Sequence, residues 1–284
     1  MTLEHLAGRA YGPVSYDVSR VAVADFVSAT GDDRDRWSET APPSLAGAVL
    51  FAVAPVFLAD PVVVPFTRSV VHVDQRFRWH RPLAVGEVLE AAGTVAGVRS
   101  RGAAHFVTFE VGAGGPEGPW LESASTFLLS DEAAGDAADE PEPPHAVRGP
   151  VEVAGESPLP LEGESLPPLR RSASRADLVR YAAAARDWNA IHWDHEAARL
   201  AGLPGIVVHG LLMASWILQA AGRHAAGPAP LTSMRARFRR PLRPAEPAAV
   251  SGRVVSTEPE GAELALEVQA AGIPLVTASV WVTR

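Results

Sequence analysis

This 284-residue sequence predicts an α+β fold built from two similar units, and three observations carry the prediction. Each half runs from an apolar stretch of helical length into alternating, strand-like segments separated by glycine-rich turns. The second half repeats residues of the first at a near-constant offset. Between them lies an acidic, proline-rich stretch that is poor in large apolar residues and reads as a linker. The boundaries that follow are a first unit over 1–130, a linker over 131–156 and a second unit over 157–284.

In the first unit, residues 14–24 alternate and predict an opening strand, and 25–30 have helical character before the charged turn at 31–36. Pro42-Pro43-Ser44 opens an apolar helix, with Ser44 as its expected N-cap. Strands follow at 71–79, 87–98, 105–111 and 120–129. Order resumes at 159–169 beyond the linker. Residues 174–186 then predict a helix with a capping box, Ser174 with Asp177, and an apolar stripe of Leu178, Tyr181, Ala182 and Ala185. A second apolar helix at 210–221 leads into strands at 231–238, 248–256, 263–270 and 275–283.

Composition narrows the classes of function. The hydrophobic fraction of 47% and charged fraction of 20% are those of a soluble globular protein. With no cysteine, disulfide and thiolate chemistry are excluded, and the cytoplasm is the default compartment. A net charge of -8 argues against nucleic acid or an anionic membrane as partner. The N-terminus, with Glu4 and His5, lacks the apolar core of a secretion signal. Leu45 to Ala59 is shorter than the roughly 20 residues a membrane span needs and contains Pro55, so it reads as a buried helix.

The repeat locates the chemistry. Arg81-Pro82-Leu83, Glu87, Gly93 and Val95 return as Arg240-Pro241-Leu242, Glu246, Gly252 and Val254, displaced by 159. Phe26, Ala29 and Asp32 return as Tyr181, Ala184 and Asp187, displaced by 155. The copies then diverge: Asn189 stands where the first half has Arg34, His192 where it has Trp37, and no His-Gly precedes the first apolar helix. Had folding alone required the polar cluster, both halves would need it. Asp187 and His192 are therefore the candidate acid–base pair, able to hold a water and move protons near neutral pH if the break at Trp188-Asn189-Ala190 folds them together. A structural Asp–His hydrogen bond closing the turn is the competing reading. Asn189, the sole asparagine, is suited to tying that turn to its neighbours.

Gly210, after His209, opens the second apolar helix, where unpaired N–H groups and the helix dipole favour negative charge. It is the candidate oxyanion donor, against the alternative of an ordinary turn glycine. Ser215 and Gln219 are polar positions within that helix. Ser215 either meets Asp187 or bonds back to a helix carbonyl. His192, Asp194 and His195 offer too few ligands for zinc, so no metal is expected. Arg235, Arg237, Arg239, Arg240 and Arg243 either meet phosphates or lie on a solvent face.

Y-A-A-A-A-R-D-W-N-A-I-H-W-D followed by A-G-L-P-G-I-V-V-H-G-L-L-M-A-S resembles the hydratase motif of MaoC-like (R)-specific enoyl-thioester hydratases and dehydratases. The first half, from F-V-S-A-T-G-D to F-R-W-H-R-P-L-A-V-G-E-V-L, resembles the degenerate FAS1-like dehydratase domain often fused ahead of it. The resemblance implies a double hot-dog, in which two curved antiparallel sheets each wrap a long helix and share one active site. It implies Asp187 and His192 as catalytic residues, Asn189 and Ser215 as their supports with Ser215 bonded to Asp187, Gly210 as oxyanion hole, and His209 and Arg240 as substrate contacts. The family's usual proline is Ala190 here, which loosens the turn. The implied reaction is reversible hydration of a trans-2-enoyl thioester carried by coenzyme A or acyl carrier protein, with no cofactor. The chain would be a monomer with an internal pseudo-dimer, or a homodimer of such units. Leu50, Phe51 and Phe57 of the degenerate half would line the acyl tunnel. A hot-dog thioesterase and a non-catalytic acyl-binding subunit are the competing functions.

Overall fold

Strand register turns the sequence repeat into a symmetry. The computed structural model describes residues 3–133, 142, 153, 155–225 and 227–283, so most of the expected linker lies outside the described residues. The first half supplies strands β1 (Ala10–Asp17), β2 (Ser69–Trp79), β3 (Val88–Arg101), β4 (Ala104–Gly115) and β5 (Gly118–Ser130). The second supplies β6 (Leu169–Arg171), β7 (Leu231–Phe238), β8 (Ala248–Glu258), β9 (Gly261–Ala270) and β10 (Ile273–Thr283). All ten form one sheet in the order β1-β3-β4-β5-β2-β7-β10-β9-β8-β6. From either edge inward the succession is the same, so the halves meet at β2 and β7.

Across that seam Asp74 pairs with Arg237, Arg76 with Arg235 and Arg78 with Ser233. Displacement by 159 carries Asp74 to Ser233 and Arg78 to Arg237, exchanging two of these pairs, and carries Arg76 to its own partner. A pseudo-twofold axis therefore passes through the Arg76–Arg235 pair.

The helices are α1 (Arg20–Thr30), α2 (Ala46–Leu58), α3 (Arg175–Ala185), the short α4 (His195–Leu200) and α5 (Gly210–Gly222). Strands β1, β3, β4 and β5 wrap α2, and β6 to β10 wrap α5, which gives the double hot-dog. Alternation supplies the inner faces: Val107, Phe109, Val111 and Ala113 of β4, and Leu264, Leu266, Val268 and Ala270 of β9, are buried. A helix enclosed this way has no solvent face to keep polar, and every residue of α5 except Gly210 is buried. Helices α1 and α3 pack on each other across the pseudo-axis, with Phe26 and Tyr181 at 6.0 Å between ring centroids.

Two expectations need correction. The opening strand ends at Asp17, and α1 begins at Arg20 because the Ser19 hydroxyl accepts from the Ala22 N–H. The alternation of Val14, Tyr16 and Val18, followed closely by Val21 and Val23, hid that cap. Ser44 does not cap α2: Pro43–Leu45 forms a 3₁₀ turn first, and the Ser44 hydroxyl is buried without a hydrogen-bond partner among the described residues.

Gly93 and Gly252 occupy matching places for a steric reason. A Cβ on Gly93 would lie 2.3 Å from the Phe109 ring, and one on Gly252 2.4 Å from the Ala265 carbonyl oxygen. Gly252→Ala is expected to lower stability by about 1–3 kcal/mol through overpacking. Gly97→Ala, with open space at that position, should cost far less. Denaturant midpoints of the two variants check this.

Candidate active site

Helix α3 delivers the first polar group. Its start is fixed by the expected capping box, in which the Ser174 hydroxyl accepts from the Asp177 N–H and the Asp177 carboxylate accepts from the Ser174 N–H. It stops at Arg186, whose φ of 60° is in the left-handed region, where a side chain costs roughly 1–2 kcal/mol. The guanidinium lies 4.7 Å from the Tyr16 ring centroid, a cation–π contact that offsets part of that cost. The first half has Gly31 there, with φ of 69°. After each reversal the next residue is an aspartate, Asp187 or Asp32.

The break between Asp187 and His192 is shaped by Asn189. Its Oδ1 accepts from the Ile191 N–H, capping a 3₁₀ turn over Ala190–His192, and its Nδ2 donates to the Val70 carbonyl of β2, both at 3.4 Å. The turn is thus tied to the first half of the chain. The Asn189 N–H donates to Asp187 Oδ1, also at 3.4 Å.

The imidazole of His192 lies 2.8 Å from the Val207 carbonyl through Nδ1. A carbonyl only accepts, so Nδ1 carries the proton and Nε2 keeps its lone pair. His209 stacks on this ring at 3.8 Å and 23°, and its Nε2 donates to the Asp187 backbone carbonyl at 3.3 Å. Tyr181 packs against His209 at 4.8 Å. Asp187, His192 and His209 each bring one ligating atom within 4.8 Å of the others. The two stacked imidazole planes do not meet near the nitrogens, so an ion in the plane of both rings does not fit. His195 stands apart, with its ring against Gly205, while Asp194 caps α4.

Burial sets the charges. It pushes the Asp187 carboxyl up to about 7, with the Asn189 N–H opposing. It pushes His192 down to about 4, with the Val207 hydrogen bond opposing, and His209 well below the usual imidazole range. Near neutral pH a carboxyl that is readily protonated therefore sits beside two neutral imidazoles.

Asp187, Asn189, His192 and Gly210 line a cavity of about 560 Å³, a size suited to a small organic ligand. Its remaining wall is largely apolar and comes from both halves: Phe51, Pro55 and Leu58 of α2, Val70 and Val71 of β2, and Val207 and Phe238. Exposed Arg186, Arg239 and Arg240 stand where it opens to solvent. Gly210 also has a packing reason, since a Cβ there would lie 3.1 Å from the Phe238 ring.

Several expected contacts do not form. The Ser215 hydroxyl donates to the Leu211 carbonyl at 2.8 Å instead of to Asp187, because a helix carbonyl one turn back is within its reach. His209 is fully buried behind His192 and does not line the cavity. Of the three apolar residues expected in the tunnel wall, Phe51 lines it. Leu50 and Phe57 face the core, where Phe57 stacks on Phe109 at 4.9 Å. Arg235 and Arg237 turn to Asp74, with Nε–Oδ2 distances of 3.6 Å and 3.4 Å, leaving Arg239 and Arg240 at the cavity. Arg186, Phe238 and Val207 were not singled out by sequence; the first had a signal, its alignment with Gly31.

At the pseudo-symmetric position, Asp32, Trp37, Pro43, Gln219 and Leu231 enclose only about 10 Å³. The Trp37 ring is buried there, and Arg36 lies 5.0 Å from its centroid while donating to the Ala225 carbonyl at 2.8 Å.

Residues 157–269 match the MaoC like domain, and residues 5–112 match the FAS1-like dehydratase domain region. The chain carries a MaoC-like domain behind a FAS1-like dehydratase region. It is 31% identical over 135 residues to a UPF0336 protein of Thermobifida fusca, a match covering 43% of this chain and 89% of that one. Over 72 residues it is 38% identical to the mitochondrial 3-hydroxyacyl-[acyl-carrier-protein] dehydratase of Arabidopsis thaliana, covering 25% of this chain and 43% of that protein. A solved MaoC-like dehydratase superposes with a TM-score of 0.78 over 99% of both chains at 22% identity, a likeness of fold. No helix among the described residues is long and apolar enough to cross a membrane.

The raised Asp187 carboxyl makes a stability prediction. Its folded value of about 7 lies above the ordinary 3.8, so its contribution favours the fold at low pH and is lost as pH rises through 7. Asp187→Asn removes the penalty and is expected to stabilise the protein by about 2–3 kcal/mol more at pH 8 than at pH 5. Equal shifts in unfolding free energy at the two pH values would contradict it.

Proposed function

We propose that this MaoC-like chain catalyses the reversible syn hydration of trans-2-enoyl thioesters to (R)-3-hydroxyacyl thioesters, the acyl group being carried by coenzyme A or acyl carrier protein. The observation that carries the reading is the buried Asp187–His192 pair in the wall of a largely apolar cavity, beside the first residue of α5 and within reach of solvent-exposed arginines. The dehydratase name of the Arabidopsis thaliana relative supports the same reaction class.

In this mechanism the thioester oxygen lies at the Gly210 N–H, which as the first helical amide has no acceptor within α5. Asp187 and the Nε2 lone pair of His192 hold one water. Its oxygen adds to Cβ while its proton passes to the pair, and the pair returns a proton to Cα on the same face, so no atom or charge is left over. The negative charge that develops on the thioester oxygen meets the Gly210 N–H and the positive end of the helix dipole. Arg240, with Arg186 and Arg239, takes phosphate or acidic groups of the carrier. The elements of water add across the double bond with no net change in oxidation state, and no cofactor is called for.

Loss of absorbance of crotonyl-CoA and longer enoyl-CoAs tests the reading. Asp187→Asn and His192→Ala are each expected to lower kcat by roughly 10²–10⁴-fold, and wild-type rates in both variants would overturn it. The ionised carboxylate is the proton acceptor in hydration, so kcat/KM should rise with pH through about 7 and then level. A profile that falls above 7 would give Asp187 the role of acid.

A further inference from the structure

His209 touches both members of the Asp187–His192 pair without itself meeting the cavity. It is fully buried at the N-cap of α5, one residue before Gly210. Its Nε2 donates to the Asp187 carbonyl at 3.3 Å, and its ring lies over His192 with 3.8 Å between centroids and 23° between planes. Val207, two residues earlier, grips the same turn twice. Its N–H donates to the Ile191 carbonyl at 3.2 Å, and its carbonyl accepts from His192 Nδ1 at 2.8 Å. The bond from Nδ1 fixes one edge of the His192 ring and leaves the plane free to rock about it; a second ring laid on the face removes that freedom. The first half is a control. Helices α2 and α5 are each 13 residues long, and the N-cap of α2 is Leu45. Tyr181, which packs on His209, has Phe26 as its counterpart. All four side chains are fully buried, so the fold closes as well around Phe26 and Leu45 as around Tyr181 and His209. Burying an imidazole costs more than burying a leucine. The half that bears the cost is the one with His192 to hold, where the other has Trp37.

We propose that His209 is a positioning residue: its bond to the Asp187 carbonyl and its stack on His192 hold the acid–base pair in register with the Gly210 N–H, with the Nε2 lone pair of His192 turned to the reacting water. The inference rests on the hydratase reading for the reaction served, and adds to it the group that aligns the reacting parts. His209 takes no proton of its own. Burial holds its imidazole well below the usual range, and its Nε2 proton is committed to the Asp187 carbonyl. Because His209 stands outside the cavity, its loss falls on turnover and spares binding. Reacting groups displaced by about 1 Å lose up to roughly 10²-fold in rate.

The test compares three variants of the full-length protein. His209→Leu installs the side chain found at this place in the first half, His209→Phe keeps a flat ring and loses the donor, and His209→Gln keeps a donor and loses the ring. Hydration of crotonyl-CoA is measured together with nitrogen-15 spectra of the His192 ring, assigned by the signals that vanish in His192→Ala. His209→Leu is expected to lower kcat by roughly 10–100-fold and to change KM by less than about threefold. Its His192 spectrum should pass from a single tautomer protonated on Nδ1 to an exchanging mixture. His209→Phe should keep the single tautomer and more of the turnover than His209→Leu, and His209→Gln should lose the single tautomer. Thermal unfolding identifies any variant that has lost its fold, and the remaining variants decide. Wild-type kcat in a folded His209→Leu protein overturns the proposal. So does a fall in kcat that leaves the His192 spectrum unchanged, or a loss carried mainly by KM, which would return His209 to substrate binding. A wild type without hydration activity would sink the hydratase reading, and the His192 spectra would then decide the positioning role by themselves.

Discussion

Two half-sheets share hydrogen bonds along β2 and β7, and the positions of the site groups descend from that seam. A residue on a twofold axis meets its own counterpart, and here Arg76 faces Arg235. Like charges directly opposite each other on adjacent strands repel. Asp74, whose counterpart is Ser233, lies within 3.8 Å of Arg76 and 3.6 Å of Arg235, and also meets Arg237. The symmetry is broken where symmetry would be costly. With the seam closed, the Val70 carbonyl of one half comes within reach of Asn189 in the other, and the end of α2 walls a cavity whose polar groups come chiefly from the second half.

Taking the polar cluster out of water acts in opposite directions on its two kinds of group. The carboxyl is driven toward its neutral form and so are the imidazoles, and both changes remove charge from the interior. Asp187 consequently ends near neutrality, while His192 stays an uncharged acceptor with its proton parked on Nδ1 toward Val207. His209 adds a flat, uncharged backing to that ring. It backs His192 from behind, and its full burial explains why it does not line the cavity.

Much of this was legible because the chain carries its own comparison. Paired residues such as Gly93 with Gly252, and divergent ones such as Trp37 with His192, marked the sheet and the site before any geometry. The apolar helices and the meanders were readable because an enclosed helix and a half-buried strand leave different periodicities. What escaped depends on partners that have no side-chain signature. The carbonyls of Val207 and Val70 accept from His192 and Asn189, and a backbone carbonyl looks alike at every position. Leu50 and Phe51 are adjacent and equally apolar, yet helical geometry sends one to the core and the other to the cavity. Ser44 had the right chemistry for a cap, and the two prolines before it imposed a tighter turn.

Trp37 has a meaning beyond the space it fills. In a pair of identical units every wall residue must serve two sites at once, so a change that suits one substrate-facing position is made twice. A fused chain whose second site is stoppered by an indole escapes that restraint. Positions on α2 and β2 wall one cavity only, and drift there reshapes it without touching Asp187 and His192. The half without the Asp–His pair is thereby the place where the cavity wall can change while the polar cluster stays as it is.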